Sequence, residues 1–404
     1  MRWRVALPVA VATLVVGSVV APGFGGAASA SPPRFREIGR TLGLPQDVHA
    51  WDIETGSLDG NRRLDLVMST HAAVYAYRVR RGGVLHRMFS AAGDDPHGCA
   101  IADVDANGWG DIYCSRGAEY GTARKRNHLW LQADRGRFVE RAGAWGVTDP
   151  YGRGRHVAFL DLNGDDRPDL FLGNEYPRAN DIESPNRTFV NVGGERYREV
   201  RIGATGRFGA HCAQAADRDA DGWDDLVVCG QRRLYLYDNR RAPDGGRRLV
   251  EVAHALGVDL AGPRSAWLGD IDGDGLTDLA VMQPWRFRLF PGRRDGGLGP
   301  AAVSIAMRAG AWIAVGDLDG RHGLDIVLVQ GCADGRNQDD IVLMARGDGT
   351  FGRRVLPGSP DGCGGPATTL DIDGDGADEV IIMDGAVGGP RGPVQVFTTG
   401  DSWR

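Results

Sequence analysis

The sequence predicts an all-β fold, a seven-bladed β-propeller with calcium-binding hairpin loops, its last blade closed by the N-terminal strand. Three observations predict it. One acidic nine-residue loop recurs seven times, each copy sits between two short apolar stretches rich in β-branched residues, and no helical stretch competes. Loop starts fall at 57, 103, 161, 217, 270, 317 and 371, so a repeat takes 46 to 58 residues. That is room for four strands, the content of a propeller blade.

The elements follow in chain order. Met1–Arg4 carries two arginines, Val5–Ala21 is almost wholly apolar, and Ala28-Ser29-Ala30 supplies a small-residue site. This is the pattern of a secretory signal cut after Ala30, leaving 31–404 as a single propeller domain. No later stretch approaches the roughly 20 apolar residues of a membrane span. Each loop then follows one strand and precedes another: HVAFLDL and DLFLGN, SAWLGDI and DLAVMQ, WIAVGDL and DIVLVQ. Two more strands complete a repeat, as in RTFVNV and RYREVRI. After the last loop only EVIIMDG and VQVFTTG follow, one strand short, while RFREIGR stands in surplus before the first repeat. Phe35–Gly39 is therefore expected as the outer strand of blade seven, which closes the ring and hides its edges.

The loops carry acids at positions 1, 3, 5 and 9. Oxygen donors at alternate positions, with a position-7 carbonyl, can converge on one cation, and glycine allows the sharp turn around it. In the second loop the expected donors are Asp103, Asp105, Asn107, Trp109 and Asp111; in the third, Asp161, Asn163, Asp165, Arg167 and Asp169. The fourth offers Asp217, Asp219, Asp221, Trp223 and Asp225, and the fifth Asp270, Asp272, Asp274, Leu276 and Asp278. The seventh offers Asp371, Asp373, Asp375, Ala377 and Glu379. Two loops are degenerate: the first retains Asp59, Asn61 and Asp65 behind Ser57, and the sixth retains Asp317, Asp319 and Asp325 but has Arg321 at position 5. Hard oxygen ligands in this number suit calcium, about five ions in all. An EF-hand would need a glutamate at position 12 and flanking helices, and both are missing.

Composition agrees. The chain has 404 residues and a net charge of -6, with 10 Glu against 43 Asp, and the seven loops hold 25 of those Asp. The negative balance argues against nucleic acid or an anionic membrane as partner. G-x-S-x-G, H-E-x-x-H and CxxC patterns are absent, so no catalytic motif marks the chain as an enzyme.

The repeated D-x-[DN]-x-[DN]-G-x-x-D-[LI] hairpins resemble the FG-GAP/VCBS-type repeats of the integrin alpha-chain propeller. The runs RFVERAGAWGV, HVAFLDLNGDDRPDLFLGN and RTFVNV resemble secreted relatives of cartilage acidic protein. The likeness covers essentially the whole chain after the signal and implies a calcium-braced scaffold with a binding surface, without implying one ligand. Of the FG and GAP words themselves, Phe208-Gly209 and Phe351-Gly352 survive without Gly-Ala-Pro.

Six cysteines fit an oxidising compartment. Cys99 and Cys114 flank the second loop and Cys212 and Cys229 the fourth, each pair nearly opposite on neighbouring strands, though the two pairs differ by one in register and so cannot share one pair type in regular hairpins. Cys332, expected to end strand two of blade six, and Cys363, before strand one of blade seven, are left to join two blades. On the face opposite the loops, His49, His97, His156 and His211 recur just before strand one, the innermost strand, which would set them in a ring around the central channel, although their spacing alternates. Glu119 and Glu175 recur after strand two, and Arg153 and Arg155 share these connections. The expected function is a secreted module binding an extracellular carbohydrate or protein. The alternative is an extracellular enzyme, polysaccharide-active or metal-dependent, using this His/Glu face.

Overall fold

Short β-branched segments punctuated by glycine-bearing turns can bury their apolar faces only by stacking sheet on sheet, and the chain does this seven times around a ring. In a computed structural model, residues 34–61, 63–93, 95–117, 125–175, 185–321, 323–356, 362–385 and 390–399 are described. Each blade is a four-stranded antiparallel sheet. Blade one comprises Ala50–Gly56, Asp65–Thr70, Ala73–Arg80 and Val84–Ala92. Blades two to six begin at Pro96, Gly154, Cys212, Ser265 and Gly310 and repeat that order. Strand one of every blade lines the central channel, which is walled by Glu54, Ile101, His156, Gln214, Trp267, Trp312 and Thr368 among others.

Blade seven has three strands of its own, Ala367–Leu370, Glu379–Met383 and Val394–Thr398, and takes its fourth from the N-terminal segment. Arg36 pairs with Thr398 and Glu37 with Phe397, antiparallel. The closing strand is shorter than the expected Phe35–Gly39 because Gly39 already begins a 3-10 turn, Gly39–Leu42. A Cβ at Gly39 would lie 2.6 Å from the Val394 carbonyl, so the close approach needs glycine. One four-residue α-helix, Ala142–Trp145, is the other helical turn among the described residues.

Between blades the side chains of strands two and three form the core. Leu66, Met68, Ile381 and Met383 meet between blades one and seven, and Leu170, Leu172 and Tyr113 between blades two and three. The three expected disulfides form: Cys99–Cys114, Cys212–Cys229 and Cys332–Cys363. Both hairpin pairs are directly opposed in register, one of them beside a bulge between Pro96 and Cys99. Cys332 does not end strand two of blade six, which stops at Gln330. Glycine at 331 turns the chain into an added two-stranded ribbon, Cys332–Ala333 with Arg336–Asn337.

Candidate functional site

The strand-one to strand-two turns place all seven acidic loops on one face. Position 9 has a duty that spacing did not reveal. Its carboxylate accepts the position-2 N–H through one oxygen, as in Leu58 to Asp65 (2.9 Å), Val104 to Asp111 (2.8 Å) and Ile271 to Asp278 (2.9 Å). The other oxygen accepts an N–H from strand three, as in Val79 to Asp65 (2.9 Å) and Gln132 to Asp111 (2.8 Å). This staple explains why the two degenerate loops still keep Asp65 and Asp325: it fastens the hairpin to its own blade.

Positions 1 and 5 curl the loop by accepting its own N–H groups. Asp270 takes Gly273 (2.8 Å) and Gly275 (3.0 Å), Asp274 takes Leu276 (2.8 Å), and Asn107 takes Trp109 (2.8 Å). Carboxylate oxygens converge within 4.8 Å in Asp103–Asp105–Asp111, Asp217–Asp219–Asp225 and Asp270–Asp272–Asp278. Burial pushes the carboxyls of Asp111 and Asp169 up to about 8; the backbone N–H bonds oppose the rise and the neighbouring loop acids add to it. Buried oxygens of Asp217 and Asp219 have no hydrogen-bond partner. Crowded, partly desolvated oxygen donors of this kind suit a hard divalent cation. In loop one the Arg78 guanidinium instead stands 3.5 Å from Asp59.

The opposite face brings together part of what the sequence singled out. His97 stacks on Trp51, ring centroids 3.5 Å apart, and its Nδ1 lies 2.7 Å from the Gly154 carbonyl. Burial, with the adjacent Arg155 guanidinium contributing, pushes its pKa down to about 4. Arg153, fully buried, reaches Glu175 at 3.3 Å, and Arg155 ion-pairs with the same carboxylate while lying 5.1 Å above the Trp51 ring. His156 departs from this group. One step out of phase, it turns into the channel, 3.6 Å from Asp52 and 6.2 Å from Trp312, so the histidines form no ring. His211 is half-buried, and desolvation lowers its pKa, opposed by the charge of Glu175. His49 stands edge-on to His71, ring centroids 6.2 Å apart, and its carbonyl accepts the His71 N–H at 3.3 Å. Glu119 lies outside the described residues.

Sequence reasoning missed His71 and Asp95. His71 Nδ1 lies 2.5 Å and His97 Nε2 3.1 Å from the same Asp95 oxygen. Burial opposes ionisation of Asp95, but the two imidazoles outweigh it and hold the carboxyl well below its usual range. A signal was available. His71, Gly117 and Glu175 each follow the last residue of strand two, the register that had drawn attention to Glu175.

Comparison with known proteins adds ancestry to this geometry. The model of the FG-GAP-like repeat matches residues 217–281 and 270–328. Integrin alpha-4 of Xenopus laevis is 30% identical over 145 residues, 32% of this chain and 14% of that protein. Cartilage acidic protein 1 of Xenopus tropicalis is 29% identical over 198 residues, covering 46% and 28% respectively. The chain thus aligns with well under a third of the length of either relative. Among solved structures, a lectin of Agrocybe aegerita described as recognising non-reducing terminal N-acetylglucosamine superposes with a TM-score of 0.50 at 18% identity, over 90% of this chain and 93% of that one. BBS1N, crystallised in complex with ARL6DN, superposes with a TM-score of 0.54 at 10% identity, over 88% and 94%. At these identities the superpositions speak for the fold alone.

Proposed function

We propose that this integrin alpha-like propeller of FG-GAP repeats is a secreted, calcium-braced module that presents the face opposite its acidic loops to an extracellular carbohydrate or protein. Residues 31–404 form the domain and the signal is removed after Ala30. The relatives and the three disulfides support an extracellular setting. Among the described residues no helix is long and apolar enough to cross a membrane.

Calcium would be held by the position 1, 3, 5 and 9 donors of loops two, three, four, five and seven, with the position-7 carbonyls. When bound it supplies the positive charge that the clustered carboxylates lack. The chain's own groups do the rest. Position-9 carboxylates tie each loop to strand three. Side-chain amides of the next blade then grip the position-2 carbonyl, as with Asn191 on Val104 (2.9 Å) and Asn239 on Leu162 (3.2 Å). A stiffened loop therefore stiffens the joint between blades. In loop one Arg78 takes the cation's place beside Asp59.

The observation that carries the binding reading is the grouping of Trp51, His97, Arg155 and Glu175, an aromatic plane edged by an ion pair. Polar groups held rigidly beside an aromatic face are what a hydroxyl-rich or charged ligand needs. Glu175 is engaged by two guanidiniums, which favours holding a ligand over acid–base chemistry. The test is binding to immobilised glycans and extracellular proteins in millimolar calcium. Signal that falls at least about tenfold in Arg155→Ala but persists in Arg293→Ala, on the loop face, supports the reading. Equal signal from both variants, or release of cleaved sugar, overturns it.

A further inference from the structure

His71, Asp95 and His97 bring two imidazole nitrogens and one carboxylate to a point: His71 Nδ1 lies 2.5 Å and His97 Nε2 3.1 Å from one Asp95 oxygen. His97 Nδ1, on the far side of the ring, lies 2.7 Å from the Gly154 carbonyl and 2.8 Å from the Arg155 guanidinium, so its Nε2 can bond Asp95 through a proton, the place a metal ion would take.

From this we infer that His71, Asp95 and His97 form a binding site for one divalent transition-metal ion of the zinc type, on the face opposite the acidic loops. The donor set is chemically different from the loops: two imidazole nitrogens and one carboxylate, which suit zinc and its neighbours rather than calcium. One ligand atom from each residue lies within 4.8 Å of the others. The Gly154 carbonyl is the outer partner that fixes the tautomer of a metal-bound imidazole, and the Trp51 stack fixes the ring plane. Gly117 lets the groups converge, since a Cβ there would stand 2.2 Å from Asp95 Oδ2 and 2.6 Å from His97 Nε2. Asp95 is a non-glycine residue at φ 58°, a conformation that costs free energy and that sites of function often hold. With three protein ligands and a His71 side chain 34% exposed, a fourth position faces solvent, open to water or to an oxygen of a ligand. This inference does not depend on the proposed carbohydrate or protein ligand.

The experiment uses the full chain, free of any polyhistidine tag and saturated with calcium, titrated with Zn²⁺ by calorimetry and with Co²⁺ by visible absorption. One zinc per chain beyond the calcium, and a Co²⁺ ligand-field band, are expected. His71→Ala should weaken zinc binding by about tenfold or more. Gly117→Ala, which leaves every ligand side chain in place, should do the same by crowding the site. Asp272→Ala, in the loop of blade five, should leave zinc binding unchanged. Because His71 is part exposed, its replacement should keep the fold, which the calcium-dependent melting transition verifies. Wild-type uptake no greater than that of a His71→Ala/Asp95→Asn double variant would overturn the inference. So would zinc binding that disappears with Asp272→Ala.

Discussion

Arg218 occupies position 2 of the fourth loop, where the other loops carry Leu58, Val104, Leu162, Ile271, Leu318 and Ile372, all buried. Its side chain is 3% exposed and its Nε and Nη2 donate to one Asp238 oxygen at 3.1 and 2.8 Å, while Arg240 holds the other oxygen at 2.7 Å. In blade two the equivalent positions are Val104 and Leu131, packed in one apolar cluster. Arg218→Val alone strands a buried carboxylate. Breaking such a pair costs about 3–5 kcal/mol, and the surviving Arg240 contact argues for the lower end, about 3 kcal/mol. With an unfolding entropy of about 2.1 cal/mol/K per residue, a chain of this size has about 0.8 kcal/mol/K, so Tm should fall by about 4 °C. Adding Asp238→Leu recreates the blade-two pair and should recover most of that loss, because apolar replacement of a whole buried pair is commonly neutral or stabilising. Thermal unfolding followed by circular dichroism, at saturating calcium, measures all four corners of the cycle. A single variant as stable as wild type, or a double variant no better than Arg218→Val, would refute the claim that this charge pair stands in for core packing.

Two further outcomes test other parts of the molecule. Chelation should lower Tm, and Asp272→Ala should shrink that response, because it removes one donor of the blade-five cluster; an undiminished response would remove calcium from that loop. Asp340, in strand three of blade six, accepts the Gln330 N–H at 2.7 Å. Burial lifts its carboxyl well above the ordinary range, the backbone bond opposes this, and Asp384 and Asp339 add to it. A pKa raised by folding gives stabilisation that is complete below the unfolded value, near 4, and is lost as pH rises through the folded value. Asp340→Asn should therefore gain on wild type between pH 4 and pH 8, a trend that paired melts at saturating calcium would show; a constant difference across that range would contradict it.

Blade number, strand order and the N-terminal closure were legible because each rests on a period, and a period is visible in one dimension. The two hairpin disulfides were legible for the same reason, since opposed hairpin positions sum to a constant, and the third joined the two cysteines left over. The His71–Asp95–His97 cluster was not, because it gathers single residues from the ends of different strands, and of these His71 alone shares the register that marked Glu175. His156 was misplaced with the other histidines because a one-residue change of register reverses the face of a strand. Cys332 was assigned to a strand end because a glycine-initiated ribbon of two-residue strands leaves almost no apolar pattern. The position-9 acids show a subtler gap: spacing pointed to metal ligation, while their retention in loops one and six traces to backbone hydrogen bonds that spacing cannot display.

The strand borrowed by blade seven determines how the ring can fail. From blade one through blade seven, each junction between neighbours is crossed by the chain itself, and the segment from Ile38 to His49 does the same between blade seven and blade one. No two blades can part without stretching covalent backbone. Opening must instead peel Arg36–Glu37 from Thr398–Phe397, then release Ile38 N–H from the Val396 carbonyl (2.7 Å) and Val394 N–H from the Pro45 carbonyl (3.0 Å). The molecule is thus a belt fastened by one clasp, and the clasp lies inside a sheet rather than between sheets. Force on the N-terminus undoes it one bond at a time, whereas force on any inner loop finds no seam to pull.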